Sequence, residues 1–104
     1  MNIRFNRALT AINLLYNNLG DGAAAVVAAA ERHGNIKTLC GIRPDQTEAN
    51  FKRWLVSDPI LKAADALLLS FDLKFNRALT SLNLFGNEIG AGGAKAIADA
   101  LPQS

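Results

Sequence analysis

The chain has 104 residues, 50% of them apolar and 19% charged, with eleven Lys and Arg against nine Asp and Glu. That length allows one domain, the composition excludes a disordered tail, and a net charge of +2 is too small and too dispersed to point to nucleic acid. No run of roughly 18 apolar residues spans a membrane, no apolar leader opens the chain, and a single Cys excludes a disulfide framework, so a cytoplasmic protein is expected.

Taken in chain order, the first element is a short strand. Ile12 and Leu14 alternate with Ala11, Asn13 and Leu15, the period-2 pattern of a strand with one buried face. Asn17 stands where the chain turns out of it, and its amide can both donate to and accept from exposed backbone. Residues 21–33 then predict an Ala-rich helix with Val26, Val27 and Ala30 on one face, Asp21 at the N-cap and Gly34 as the stop. His33 falls in its last turn, where a cation interacts favourably with the helix C-terminus.

A second strand starts at Ile36 and continues through Leu39 and Gly41, but Pro44 occupies the position of the turn Asn and no helical pattern follows. Counting back from the end of the chain places a third strand on Phe51, Trp54 and Val56, with Pro59 in place of the Asn. Asp45-x-x-Glu48 also resembles a capping box, and Phe51, Trp54 and Leu55 fit a helix as well, so 45–56 reads as strand or helix. Phe51 and Trp54 are expected in the core under both readings. A helix over 62–73 places Ala64, Leu67, Leu68 and Phe71 on one face. Residues 91–101 predict the last helix, through Ala94, Ile97, Ala98 and Leu101, ended by Pro102.

The chain repeats itself. Residues 3–20 align without a gap on residues 73–90, with ten of the eighteen pairs identical, and Phe5-Asn6-Arg7-Ala8-Leu9-Thr10 recurs as Phe75-Asn76-Arg77-Ala78-Leu79-Thr80. Both copies read L-x-x-[IL]-x-L-x-x-N-x-[LI]-G, on Leu9, Ile12, Leu14, Asn17, Leu19 and Gly20, and on Leu79, Leu82, Leu84, Asn87, Ile89 and Gly90. Strand, Asn turn and Ala-rich helix in about 28 residues resemble the leucine-rich repeat, in its long ribonuclease-inhibitor-like subtype. The resemblance implies an α/β fold: a short solenoid arc of about 3.5 repeats forming one domain over 1–104, with parallel strands on the concave side and helices on the convex side. Repeats start near 9, 36, 51 and 79, and 41–57 is irregular.

No catalytic residue, metal site or cofactor is expected. Gly20-Asp21-Gly22-Ala23-Ala24-Ala25 imitates a dinucleotide-binding run, but Gly90-Ala91-Gly92-Gly93 holds the same place in the last repeat, so the glycines belong to the repeat. A metal needs three or four ligands and the chain has one His; Cys40 has no His beside it in the motif.

In the repeat register, Ala11, Thr38, Arg53 and Ser81 form one column of the concave face, and Asn13, Cys40, Leu55 and Asn83 the next. Leu15, Ile42, Ser57 and Phe85 follow, with Tyr16, Arg43, Asp58 and Gly86 at the rim. Leu15, Tyr16, Ile42, Leu55 and Phe85 are then exposed apolar residues on one surface, the composition of a partner-binding face. The expected function is non-catalytic protein binding by Asn13, Leu15, Tyr16, Cys40, Ile42, Arg53, Leu55, Asn83 and Phe85. The expected partner is another protein, not nucleic acid or a membrane. The alternative is a segment of a longer repeat scaffold that associates through uncapped ends, since the chain opens in mid-pattern with no polar cap on its first strand.

Overall fold

A computed structural model of the chain describes residues 8–101; the expectations for residues 3–7 and for Pro102 lie outside them. Three helices form one layer: α1 (Gly22–His33), α2 (Ala63–Phe75) and α3 (Gly90–Ala100). β1 (Glu48–Asn50) and β2 (Ser81–Asn83) pair in parallel, with Glu48 opposite Ser81 and Asn50 opposite Asn83. The ladder continues beyond the strands, through Thr80 N–H to the Thr47 carbonyl and Arg53 N–H to the Phe85 carbonyl, both at 2.8 Å. A second contact joins 10–14 to 37–40, with a parallel bridge at Ala11–Thr38 and an antiparallel one at Asn13–Cys40: Lys37 N–H donates to the Thr10 carbonyl at 2.8 Å and Ile12 N–H to that of Thr38 at 3.0 Å.

α2 is the centre of the molecule. It packs against both α1 and α3 and buries Ala66, Leu68, Leu69, Phe71 and Leu73. That burial on several sides is what an apolar stretch without a polar face requires. With Ile36, Leu39, Ile42 and Leu61 these residues make the fully enclosed part of the core. The repeated leucines and isoleucines of the outer units, Leu9, Ile12, Leu14, Leu79, Leu82, Leu84 and Ile89, pack on that core but stay partly exposed.

Helix ends follow the sequence closely. Gly34 closes α1 in the left-handed conformation, φ 83°, with its N–H on the Ala30 carbonyl. Asp21 precedes α1 but makes no side-chain cap. At α2 the Asp65 carboxylate reaches back to the Lys62 N–H at 2.9 Å, satisfying one of the free donors of the first turn.

The middle of the chain departs from expectation in two ways. The second strand is cut short at Gly41, whose φ of 89° turns the chain directly after its bridge to Asn13. The next strand then starts at Glu48, so 45–56 contains a strand and no helix, and that strand lies five residues before the expected one. The missing helix is replaced by a side chain on α2. Asp72 accepts the N–H groups of Leu39 (2.6 Å), Cys40 (3.2 Å) and Ile42 (3.0 Å), so one buried carboxylate satisfies the tight turn.

Candidate functional site

The three exit turns that follow the strands are built alike. The side-chain oxygen of Asn13 accepts the Leu15 N–H at 3.1 Å, Asn50 that of Lys52 at 3.0 Å, and Asn83 that of Phe85 at 3.0 Å. These are Asx turns, in which a short amide replaces a backbone acceptor. In the observed register Ala11 stands beside Thr38 and Asn13 beside Cys40, while Glu48 stands beside Ser81 and Asn50 beside Asn83. Arg53 and Leu55, expected in those columns, belong instead to the loop beyond β1.

Three further expected site residues are buried. Leu15 packs in the core, Ile42 is enclosed, and Cys40 lies under α2 with its thiol donating to Asp72 at 2.9 Å. They are not surface groups: the turn at Gly41 and the Asp72 carboxylate hold Cys40 and Ile42 against α2, and Leu15 is part of the same core. Burial and the neighbouring Asp72 carboxylate push the Cys40 thiol far above its ordinary range, which keeps it protonated and poorly nucleophilic. Burial also raises Asp72 above the usual carboxylate value, opposed by the thiol and the three N–H donors.

Among the described residues, five of the six exposed large apolar residues lie on the rim, in the loops where the strands end, and the sixth, Leu101, closes α3. Trp54 is 73% exposed, Leu55 63%, Val56 91%, Phe85 69% and Tyr16 44%. Trp54, expected in the core, and Val56, expected at a fixed repeat position, therefore face solvent. Their loop is held from within. The Asp58 carboxylate accepts the N–H groups of Trp54 (3.1 Å) and Leu55 (2.8 Å), and the Arg53 guanidinium donates to the carbonyls of Val56 (2.6 Å) and Asp58 (3.2 Å). Lys52 Nζ sits 3.6 Å above the Trp54 ring centroid and 5.2 Å from that of Phe85, joining the two aromatic groups.

Tyr16 joins this rim from the first unit in a left-handed conformation, φ 65°, where the equivalent position of the last unit is Gly86, φ 84°. A non-glycine residue there costs about 1 kcal/mol or more. The Tyr16 N–H is held by the buried Asp65 carboxylate at 3.0 Å. Between Tyr16 and the 58–65 segment lies a groove of about 490 Å³, lined by Asn18, Gly20, Asp58, Pro59, Ile60 and Asp65 among others.

Asn87 ties the rim to the core. Its amide accepts the Leu61 N–H at 2.9 Å and donates to the carbonyls of Phe51 (2.7 Å) and Leu84 (3.1 Å), while Asn17 donates to those of Leu14 and Leu15. Among the described residues no three His, Cys, Asp or Glu side chains group as metal ligands, and no helix is long and apolar enough to cross a membrane. The turns at Asn17 and Asn87 and the exposure of Leu55 were readable in the sequence; the turn at Asn50 and the exposure of Trp54 and Val56 were not, because Trp54 and Val56 are of the same type as core residues.

Residues 75–98, which include β2 and most of α3, match the family model described as Leucine Rich repeat. No curated protein and no solved structure matches the chain.

Proposed function

We propose that this chain is a non-catalytic protein-binding domain of the leucine-rich-repeat kind, in which the units form a short arc and the rim of strand-exit loops meets the partner. Repeat domains of this class are in general interaction modules, which agrees with the match over 75–98. The observation that carries the reading is the Trp54-Leu55-Val56 loop. Three consecutive large apolar side chains stand in solvent on a backbone fixed by Asp58 and Arg53, with Phe85 and Tyr16 on the same rim. Scattered exposed apolar residues are ordinary; a rigid cluster with two rings and a lysine is the composition of a binding hot spot. Asn13 and Asn83 serve this surface indirectly by shaping the turns, and the polar Glu48 and Ser81 flank it on the sheet.

The test is affinity capture of a partner, followed by its Kd for the purified wild type and for a Trp54→Ala/Phe85→Ala variant. Loss of two hot-spot rings is expected to weaken binding by about a hundredfold or more, with the melting temperature little changed because both rings are exposed. A partner bound equally well by the variant would remove the rim from the account.

A further inference from the structure

We infer that the rim takes a partner segment in which an aspartate or glutamate is flanked by large apolar residues, its carboxylate held by Lys52, Asn50 and Asn83. The inference rests on the rim being the binding surface and adds what the partner must carry. It starts from the alternation of β1. Ala49 is buried and Phe51 packs on the core, so Glu48, Asn50 and Lys52 share the opposite, open face. The ladder to β2 sets Asn50 beside Asn83, and the same register brings Lys52 beside Phe85, whose ring centroid lies 5.2 Å from Nζ.

At the ring end of this face stand donors that lack an acceptor. Besides shaping their turns, Asn50 and Asn83 turn Oδ1 back onto the N–H groups of Lys52 and Phe85, which leaves each Nδ2 facing away from its own turn. Among the described residues neither Nδ2 donates a hydrogen bond and Lys52 Nζ forms no ion pair, whereas Arg43, Lys74 and Lys95 each pair with a carboxylate. The nearby charges are already engaged. Asp58 accepts the N–H groups of Trp54 and Leu55, and Arg53 donates to carbonyls of its own loop. Lys52 and Arg53 against Asp58 leave that loop with a net positive charge.

A side-chain carboxylate answers this set, because its two oxygens accept several hydrogen bonds and carry the opposite charge. A Lys or Arg of the partner would meet only donors and the like charge of Lys52. A wholly apolar segment would bury the same donors unsatisfied, which weakens binding. Trp54 and Phe85 supply the rest: they seat apolar side chains beside the acid and exclude water from the charge contact. Glu48, on the same face, lies four residues from Lys52. That is about 13 Å along extended chain, beyond the roughly 10 Å at which salt screens exposed charges. It therefore places the partner's acid at the Lys52 end. A net charge of +2 for the whole chain is too small to hold a phosphate backbone.

Selection of random peptides displayed on phage against the full chain tests this. Wild type is expected to enrich peptides with Asp or Glu flanked by Leu, Ile, Phe or Trp. Lys52→Gln is expected to enrich the apolar residues without the acid, and Trp54→Ala/Phe85→Ala to enrich neither. For one selected peptide made synthetically, Lys52→Gln and replacement of the peptide's acid by its amide are each expected to weaken binding about tenfold, and together no further. Asn50→Asp keeps the Asx-turn oxygen but loses the donor and gains a negative charge, so it is expected to weaken the same peptide with the melting temperature unchanged. Wild type that enriches apolar peptides without acids, or losses that add, overturns this inference and leaves the rim standing. Peptides bound equally well by Trp54→Ala/Phe85→Ala remove the rim itself. Oligothymidylate bound more tightly than the selected peptide, or no enrichment at all, also overturns the inference.

Discussion

Asp72 is the residue on which the middle of the chain depends. Its carboxylate is the acceptor for three backbone N–H groups and a thiol in a site closed to water. Each donor left buried without an acceptor costs about 1–3 kcal/mol. Asp72→Ala is therefore expected to destabilise the fold by roughly 3–5 kcal/mol, a large part of the stability of a domain this size. The pH dependence has a definite sign. The folded pKa of Asp72 lies above its ordinary 3.8, so the native state holds a proton that the unfolded chain has already released. Its titration then favours folding below that ordinary value, and the advantage fades as pH rises through the folded pKa. Asp72→Asn cannot titrate, so the stability gap between wild type and Asp72→Asn, from urea unfolding, is expected to narrow as pH rises above 3.8. A gap that widens over that range would mean the N–H donors outweigh burial.

Among the elements, α3 separates intrinsic helix preference from packing through two adjacent glycines. A Cβ at Gly92 would meet nothing within 4 Å, whereas one at Gly93 would press on Ala66 at 3.0 Å and Ala63 at 3.5 Å. Gly92→Ala is expected to raise stability by about 0.5–1 kcal/mol, through helix preference alone. Gly93→Ala is expected to lower it by about 1–3 kcal/mol, since α2 must give way; paired thermal melts distinguish the two. The same elements show what local pattern can and cannot reveal. All three helices were legible because their caps and apolar spacing are local. The first strand, the start of the second and β2 were legible through the repeat. β1 was placed five residues late, because matching Trp54 and Val56 to buried repeat positions ignored Asn50, whose Ala49-Asn50-Phe51 context parallels Ile12-Asn13-Leu14 and Leu82-Asn83-Leu84. The hook at Gly41 depends on Asp72, thirty residues away in sequence, and no local signal announces it. Of the apolar residues expected at the surface, Tyr16, Leu55 and Phe85 are exposed, whereas Leu15 and Ile42 are enclosed in the core, as is Cys40.

At the scale of the whole molecule, stability is concentrated in the middle. α2 has α1 and α3 as neighbours, and its residues fill the enclosed core, while the repeated leucines on either side of it in sequence stay partly buried. An element with packed neighbours on one side opens more readily than one with neighbours on both. This arrangement supports the proposed binding surface. A buried centre anchors the Trp54–Phe85 rim through Asn87, which bonds both Leu61 and Phe51. Amide hydrogen exchange in dilute solution, followed residue by residue by NMR, tests it most directly. The slowest amides are expected in α2 over Leu68–Leu73, with α1 and α3 exchanging faster. Equal protection from α1 to α3 in dilute solution, or α2 exchanging faster than its neighbours, would contradict the account.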